Sequence, residues 1–582
     1  MWFFFSLCML LVLVFTAGLV RYMAEGSVDV LTRLTVGLGW VTALSVVAIV
    51  PIDVWTTLTG RKDDAALLPD LWSASYWSTQ ILTWIVLPLH QGYVDSGYFD
   101  VKAKLRSSVR DNLLFYAVVG GVGVVGFLFL LISGRLDLAS LPALCIGASN
   151  AFGLLACTFL LGYGLVEVPR SLWRRANPVD RLAWCMQRVG KLAERAEDAQ
   201  GELALSLLAV QSASQQMTRR DPLKPYMDII EKTVNEQAPL RASDLTAMED
   251  DGSVDVDLDM DGLASLRRRL VRAIGAYQRT HGMYVQVVKE AFTMEDVVSS
   301  RSNPDRVFEP ARRAAGPAPG AAAGQAMWWW KCIAQPLLMK LGALFLAVIS
   351  GAVVLAEVTI STRRHPDLSL FSVTLHRHQG AGEVPLQLIV LLPLVYVCAC
   401  SYYSLFKLGS FSFFLLVPRH SDGLSLLLNS ALMCRFAAPL CYNFLNIIHV
   451  DDDHSATVFS NKMASMNNIP FFGREFNEFF PIVTLLYVLA ILFNVFSRLA
   501  STFSSLKFDD EGDEDAYAMR GRDLLRQERD AEARGELVGY CLLSRARGSG
   551  GGGDAASGVL SSATRWGHMS AAAAATAARY QR

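Results

Sequence analysis

The chain has 582 residues, of which 52% are hydrophobic and 18% are charged, and its formal net charge at pH 7 is −1. The mean hydropathy is +0.32, and the apolar residues are grouped in runs of about 20, the length that a helix needs to cross a bilayer. Basic residues are not interleaved with aromatic residues on a solvated face, so no nucleic-acid partner is expected. This composition predicts an integral membrane protein rather than a soluble domain.

Apolar runs with the length of membrane spans occur along most of the chain. They cover residues 2–20, 34–54, 73–89, 113–133, 141–166, 336–358, 385–406, 424–450 and 479–499. Lysine and arginine are concentrated in the loops that lie inside if the N-terminus lies outside, and this bias sets orientation. We therefore expect an all-α polytopic membrane protein with about nine transmembrane helices, an outer N-terminus and a cytoplasmic C-terminus.

The expected domains follow from these runs. Residues 1–166 carry transmembrane helices 1–5, residues 167–335 are a cytoplasmic segment and linker, and residues 336–506 carry helices 6–9. The cytoplasmic tail, 507–582, begins with an acidic cluster and a charged helix over about 516–534. Its last part is rich in Gly and Ala, and such a composition predicts disorder because it cannot bury enough apolar surface to fold.

The cytoplasmic segment contains two series of apolar residues that recur every seven positions, one starting at Leu182 and the other at Leu263. A seven-residue apolar period is typical of coiled coils. We predict a long helical hairpin, a coiled coil, that binds partner proteins. Its candidate partner-binding residues are Leu182, Val189, Leu192, Leu203, Val210, Leu263, Leu270, Tyr277 and Tyr284.

The span 424–450 carries a cation near its midpoint. Arg435 lies eleven residues after Leu424, and a charge at that depth costs about 2.5–3.5 kcal/mol unless a partner compensates it. Asn443 and Asn446 follow on much the same helical surface. Together with Asn150 of the span 141–166, these residues form the candidate intramembrane polar site.

Two interpretations of Arg435 are open. Arg435 forms a structural contact, with Glu357, Asp53, backbone carbonyls or Asn150 as the partner, or it belongs to a transport or ligand site. The residues alone favour the structural contact, because Glu357 and Asp53 are the acids near the span boundaries.

Several short patterns suggest ligand sites but lack the context that such sites need. Gly121, Gly123 and Gly126 spell a dinucleotide fingerprint inside an apolar span, where close helix packing is the better interpretation. Residues 257–262 match half of a calcium loop, but Arg268 stands where the closing glutamate belongs. The clusters 376–378 and 451–454 have no metal-ligand spacing. No cofactor, metal site or catalytic residue is expected, so the chain is not expected to be an enzyme.

Five longer motifs resemble those of a known family. They are YWSTQILTW (76–84), CSYYSLFKL (400–408), MCRFAAPLCYNFLNIIHVD (433–451), NVFSRL (494–499) and GRDLLRQERD (521–530). On these motifs, residues 1–535 are similar to the limb-region-1-type (LMBR1-like) multi-pass membrane proteins, and in particular to the subgroup associated with G-protein-coupled receptors. The resemblance implies nine spans, an outer N-terminus, a large cytoplasmic coiled-coil loop and no agreed catalytic site.

Two functions are compatible with these expectations. The first is a non-enzymatic adaptor or receptor-associated regulator of membrane signalling or trafficking, which contacts membrane lipids through its spans and partner proteins, including membrane receptors, through the hairpin. The alternative is a transporter or a receptor for a lipid or small ligand that uses the polar interior around Arg435. Either function places the chain in the plasma membrane or an endolysosomal membrane.

Overall fold

The computed structural model describes residues 2–61, 66–133, 141–238, 258–308, 321–361, 369–378, 380, 382–408, 416–450, 456–463, 474–495, 510–539 and 541–542. Every regular element in these residues is a helix, and the β contact found among them is an isolated bridge between Ala24 and Ser421. The chain divides into two compact units. Unit 1 comprises 1–96, 102–177 and 326–508, and unit 2 comprises 97–101, 178–325 and 509–582.

The helices are numbered in chain order. The first ten are α1 (Trp2–Met23), α2 (Val30–Leu44), α3 (Val46–Thr59), α4 (Leu68–Ile81), α5 (Leu87–Asp95), α6 (Val101–Ile132), α7 (Leu141–Arg175), α8 (Pro178–Gln216), α9 (Lys224–Gln237) and α10 (Met260–Arg301). The others are α11 (Ala321–Trp328), α12 (Gln335–Ser361), α13 (Leu370–Arg377), α14 (Glu383–Leu408), α15 (Gly423–Ile447), α16 (Val458–Met463), α17 (Arg474–Leu492) and α18 (Asp510–Ala533). Two π-helical segments, Leu82–Val86 and Trp329–Ala334, join α4 to α5 and α11 to α12.

Seven segments of the described chain are long and apolar enough to cross a membrane. They are Trp2–Met23, Val30–Thr59, Val101–Phe129, Phe152–Arg175, Ala322–Thr359, Glu383–Lys407 and Gly423–Ile447. Phe480–Leu492 is apolar but shorter, and the end of the predicted last span lies outside the described residues. The all-α, multi-pass architecture is confirmed, whereas the count of nine spans stays a prediction.

Helix α15 lies at the centre of unit 1, packed against α2, α5, α7 and α12 among others. Small residues let its neighbours approach closely, as is common between membrane helices. A Cβ added at Gly39 of α2 would lie 2.1 Å from Ser430 Oγ, and one added at Gly153 of α7 would lie 2.7 Å from Cγ of Pro439. The thiol of Cys434 also donates to the Gly39 carbonyl at 3.2 Å. The helix that carries Arg435 is therefore held on several sides.

Unit 2 is built on two long helices, α8 and α10, that pack in opposite directions. The first half of α8 meets the second half of α10, and the second half of α8 meets the first half of α10. The predicted heptad positions form this interface: Leu182 is half-buried, and Val189, Leu192, Leu203, Val210, Leu263, Leu270, Tyr277 and Tyr284 are buried. The sequence period therefore identified the packed faces, while supercoiling of the pair stays a prediction.

Helix α18 packs against α8 in unit 2, which the sequence did not predict. The two helices touch backbone to backbone at two glycines: a Cβ at Gly190 would lie 2.2 Å from the Tyr517 carbonyl oxygen, and one at Gly521 would lie 1.8 Å from that of Met186. Leu524 and Leu525 of α18 are buried in the same cluster as Val189. The charged tail helix is thus a third structural layer of unit 2.

A buried carboxyl group lies where α18 meets α10. Glu528 is fully buried; its Oε1 accepts a hydrogen bond from Tyr284 Oη at 3.2 Å, and its Oε2 accepts one from the Gly539 N–H at 2.8 Å. Burial raises the pKa of Glu528 above its ordinary value of 4.5, although these hydrogen bonds oppose the shift.

The short segment 97–101 belongs to unit 2, although it joins α5 to α6 in the sequence. Gly97 lies against α10, where an added Cβ would be 1.6 Å from the Ala264 carbonyl oxygen. Tyr98 Oη donates to Asp261 Oδ1 at 2.9 Å, and the Arg267 guanidinium donates to the Tyr98 carbonyl at 2.9 Å. This segment is an integral part of the packing of α10.

The glycine contact between α8 and α18 can be tested with Gly190→Ala. The added methyl group should lower the stability of the contact by about 1–3 kcal/mol, the usual cost of overpacking, and should speed proteolytic cleavage within α18 of the full-length protein in detergent. The matched control is Gly201→Ala on the same helix, where a Cβ meets open space. Alanine has a higher helix propensity than glycine, so this substitution should leave the rate of cleavage within α18 unchanged or lower. Equal effects of the two substitutions would contradict the close contact.

The buried Glu528 should make the stability of unit 2 depend on pH. Because the folded-state pKa is raised, the stabilising contribution is fully present below pH 4.5, the ordinary value, and is lost as pH rises through the folded-state pKa. Glu528→Gln should flatten the fall in Tm between pH 4.5 and 8, whereas Glu236→Gln, at an exposed position of α9, should keep the slope of the unsubstituted protein. An unchanged slope in Glu528→Gln would refute this assignment.

Candidate functional site

The candidate site begins with a break in the helical run α4–α5. Pro88 has no N–H, so the carbonyl of Trp84, four residues earlier, has no regular α-helical donor, and residues Leu82–Val86 adopt a π-helical turn. The hydroxyl of Tyr116 on α6 donates a hydrogen bond to this carbonyl. Such local rearrangements are how membrane helices tolerate proline. The result is a fixed position for the Trp84 side chain.

Arg435 packs against aromatic rings rather than against a carboxylate. Its guanidinium carbon lies 4.7 Å from the ring centroid of Trp84 and 5.6 Å from that of Phe152 on α7. The Trp84 indole N–H donates to Gln80 Oε1 at 3.1 Å, which holds the ring in place. An arginine over an aromatic face gains about 0.5–2 kcal/mol, more where water is excluded. Two rings therefore compensate part of the cost of a half-buried cation.

The two acids proposed as partners of Arg435 are bonded elsewhere in the described part of the chain. Glu357 of α12 is buried, and its Oε1 accepts a hydrogen bond from the Asn443 amide at 2.9 Å. Asp53 of α3 is fully buried and accepts a hydrogen bond from the Trp72 indole at 2.8 Å. The described contacts of Arg435 are thus aromatic, a kind of partner that the sequence did not indicate.

The predicted polar residues do not share one set of neighbours. Arg435 contacts α7 and the π-helical turn, whereas Asn443 contacts α12. Asn446 is half-buried one turn after Asn443. Asn150 lies in α7, but its side chain is outside the described residues. The structure therefore places Arg435 and Asn443 in two different environments along α15.

Asp53 has a structural role that the sequence did not indicate. Its carboxylate accepts hydrogen bonds from the backbone N–H groups of Val458 at 2.9 Å and Phe459 at 3.0 Å, at the start of α16. A helix N-terminus favours negative charge, so these hydrogen bonds stabilise the buried carboxylate. An aspartate within an otherwise apolar run was the available signal, but its partner lies about four hundred residues away in the sequence.

An ionic cluster lies near the C-terminal end of α7, away from Phe152. Glu167 is buried and accepts hydrogen bonds from Arg174 and from Lys407 of α14. Arg170 donates to Asn494 Oδ1 at 2.9 Å and to the Leu492 carbonyl at 2.8 Å, so it ties α7 to the end of α17. Each cation in this cluster has a partner, which makes it a structural link among three helices.

The weaker sequence patterns have ordinary structural surroundings where the structure describes them. Gly121, Gly123 and Gly126 lie in α6, and a Cβ at each would meet open space, so the predicted close packing is not seen within the described residues. Asp259 caps α10 by accepting from the Gly262 N–H at 2.6 Å. Asp257 and residues 451–454 lie outside the described part. Among the residues searched, no group of His, Cys, Asp or Glu has a metal-binding arrangement.

Comparison with known sequences gives a family match over most of the chain. A family described as LMBR1-like membrane protein matches residues 1–496. The chain is 28% identical over 519 residues to the LMBR1 domain-containing protein 2 homolog of Drosophila melanogaster, which covers 84% of this chain and 75% of that relative. It is 26% identical over 556 residues to the human G-protein coupled receptor-associated protein LMBRD2, covering 86% and 79%.

A relative from Dictyostelium discoideum, LMBR1 domain-containing protein 2 homolog A, is 29% identical over 458 residues, which is 78% of this chain but only 61% of that relative. No solved structure matches the chain.

The stacking of Arg435 on Trp84 can be measured by a double-mutant cycle. Trp84→Leu should lower the Tm of the full-length protein in detergent by an amount equivalent to about 1–2 kcal/mol, and the same change should cost less in an Arg435→Leu background, because the cation is gone. Trp77→Leu, at an exposed ring on α4, should have a small and additive effect. Additive losses for Trp84 and Arg435 would show that the two side chains do not stabilise each other.

Proposed function

The chain belongs to the LMBR1-like membrane protein family, and from that membership we propose that it is a non-enzymatic, receptor-associated membrane protein that regulates signalling or trafficking. The observation that carries the proposal is the name shared by vertebrate relatives, which are described as G-protein coupled receptor-associated proteins. The unit of packed helices formed by α8, α10 and α18 supplies a docking element of the kind that such an association needs.

We propose nine membrane spans for this chain. Besides the seven segments that meet the length and hydropathy requirements, the continuous helical run of α4, the π-helical turn and α5 is long enough to cross a bilayer. The apolar run that contains most of α17 continues in the sequence to Leu499. With the N-terminus outside, the lysines and arginines of the short loops lie inside. Residues 167–335 and 507–582 are then cytoplasmic, and unit 2 is a cytoplasmic coiled-coil assembly.

The buried heptad residues build the docking element rather than touch the partner. Leu203, Leu270 and Tyr284 are fully buried inside unit 2, so a partner cannot reach them without unfolding it. Exposed apolar side chains on the outer faces are available instead, among them Leu205 at 46% exposure and Val271 at 44%. We propose that membrane receptors bind these outer faces, where scattered apolar residues lie among charged ones.

Removal of unit 2 should abolish association with receptors. A variant that lacks both 182–298 and 510–542 removes nearly all of α8 and α10 together with α18, so the apolar faces that these three helices bury against one another are all removed. Segment 97–101, which packs on α10, remains. We expect it to lose proximity crosslinking to co-expressed epitope-tagged G-protein-coupled receptors, while a variant that lacks only 549–582 keeps it. Retention of the crosslink without unit 2 would assign receptor binding to the spans.

The proposed orientation predicts the side on which each terminus lies. In intact cells, an epitope fused before residue 1 should be accessible to antibody, and one inserted after residue 549 should become accessible only after permeabilisation. The same experiment on the variant without unit 2 checks that its spans still insert. Detection of both epitopes on one side would contradict an odd number of spans.

The second candidate function is transport or reception of a small ligand or lipid, and one observation favours it. Arg435 is a half-buried cation without an acidic partner in the described part of the chain, so an anionic group could lie beside it. In that case Arg435→Leu would abolish ligand-dependent stabilisation or uptake with expression unchanged. A fall in expression alone would support the structural role of the arginine.

A further inference from the structure

The first third of α6 carries a groove with two chemically distinct rows of side chains. The groove has a volume of about 530 Å³. Basic residues at positions 102, 106 and 110 form one row, and apolar residues at 105, 109 and 113 form the other; the lining comprises Lys102, Leu105, Arg106, Val109, Arg110 and Leu113. Residues four apart are neighbours on a helix surface, about 6 Å from one another, so each row is continuous.

Hydrogen bonds on the other side of α6 fix the direction in which this groove faces. Ser108 Oγ donates to the Leu89 carbonyl at 2.6 Å, the Asn112 amide donates to the Pro88 carbonyl at 3.2 Å, and Tyr116 donates to the Trp84 carbonyl. Arg106 and Arg110 are each two residues from Ser108, which places them about 160° away around a helix of 3.6 residues per turn. The arginines therefore face away from the helices that hold α6.

The groove lies at the depth where lipid headgroups begin. The apolar run of α6 starts at Leu113 and continues to Ile132, and these 20 residues span about 30 Å, the thickness of the hydrocarbon core. Arg110 then lies at the edge of the hydrocarbon and Arg106 about 6 Å further out. Leu113 and Val122 are 61% and 70% exposed, which leaves this face open to lipid along its length.

We propose that the groove binds an anionic phospholipid. The guanidinium groups of Arg106 and Arg110 donate to the headgroup phosphate, which arginine recognises with paired hydrogen bonds. Leu105 and Val109 contact the glycerol region of the lipid, and Leu113 contacts the upper part of its acyl chain. Both arginines are exposed, and neither forms an ion pair with another described residue.

The apolar row distinguishes a lipid from other anions. A soluble phosphate or an acidic protein segment would satisfy the arginines but would leave Leu105 and Val109, which lie outside the hydrocarbon core, facing water. A phospholipid satisfies both rows at once, because its charged and apolar parts are joined at the depth where the two rows meet. Charge and position together select this ligand.

The test is lipid binding by the full-length protein in nanodiscs. We expect a higher affinity for a fluorescent phosphatidylinositol bisphosphate in a phosphatidylcholine background than for fluorescent phosphatidylcholine. Arg106→Gln with Arg110→Gln should weaken binding about 30-fold, since each cation near an anionic surface contributes roughly fivefold. The matched control, Arg219→Gln with Arg220→Gln, removes the same charge from exposed positions in unit 2 and should leave binding unchanged.

Two further measurements complete the test. Higher salt should weaken the binding by the unsubstituted protein more than that by the arginine variant, and the soluble inositol trisphosphate headgroup should compete poorly. The proposal is overturned if the arginine variant binds the lipid as the unsubstituted protein does, if the control pair loses as much, or if the soluble headgroup competes as well as the lipid. None of these measurements depends on a receptor or on the orientation of the chain.

Discussion

Polar groups in the membrane-spanning helices of unit 1 must find hydrogen-bond partners within the protein, because the bilayer core contains no water. This requirement explains the main features of unit 1. Pro88 cannot donate to the Trp84 carbonyl four residues earlier, and the Tyr116 hydroxyl donates to it. Asp53 takes the N–H groups at the start of α16, and Glu357 takes the amide of Asn443. Each arrangement joins elements that are separated in the sequence, so each hydrogen bond that satisfies a buried polar group also holds two helices of the bundle together.

Arg435 shows how aromatic rings can meet this requirement. A cation could have been balanced by Glu357 or Asp53, but those acids have other partners, and Trp84 and Phe152 face the guanidinium instead. Rings provide a negative face without a second charge to desolvate. The arginine consequently keeps its positive charge uncancelled, which is the property that both proposed roles of this site would use.

Periodicity and composition predicted much of this fold from the sequence. The heptad positions from Leu182 and Leu263 are the buried faces of α8 and α10, because a repeat of apolar residues reports which side of a helix must be covered. The need of Arg435 for a partner was also evident from its depth. The identity of that partner was not, since it depends on a π-helical turn caused by Pro88 and on contacts between α15, α7 and the α4–α5 run.

The packing of α18 against α8 could not be inferred from the sequence either, because it depends on contacts between distant parts of the chain. Its sequence is highly charged, and its few apolar residues, such as Leu524 and Leu525, give no strong period. The contact depends on Gly190 and Gly521 lying opposite one another, and pairing between distant glycines is invisible in one sequence. Gly121 and Gly123 are the opposite case. They form a recognisable glycine pattern in the sequence, but no described residue packs closely against them.

Unit 2 draws its parts from three separated stretches of the chain, including the short segment 97–101 held by Asp261, Ala264 and Arg267. A stop codon before residue 510 would therefore leave a protein with all its apolar spans but with the surface around Val189 and Tyr284 stripped of its cover. Bare apolar surface of this kind invites aggregation and recognition by chaperones. The end of this chain is as much a folding determinant as its middle, and splice forms or alleles that shorten it should be sought among poorly expressed variants.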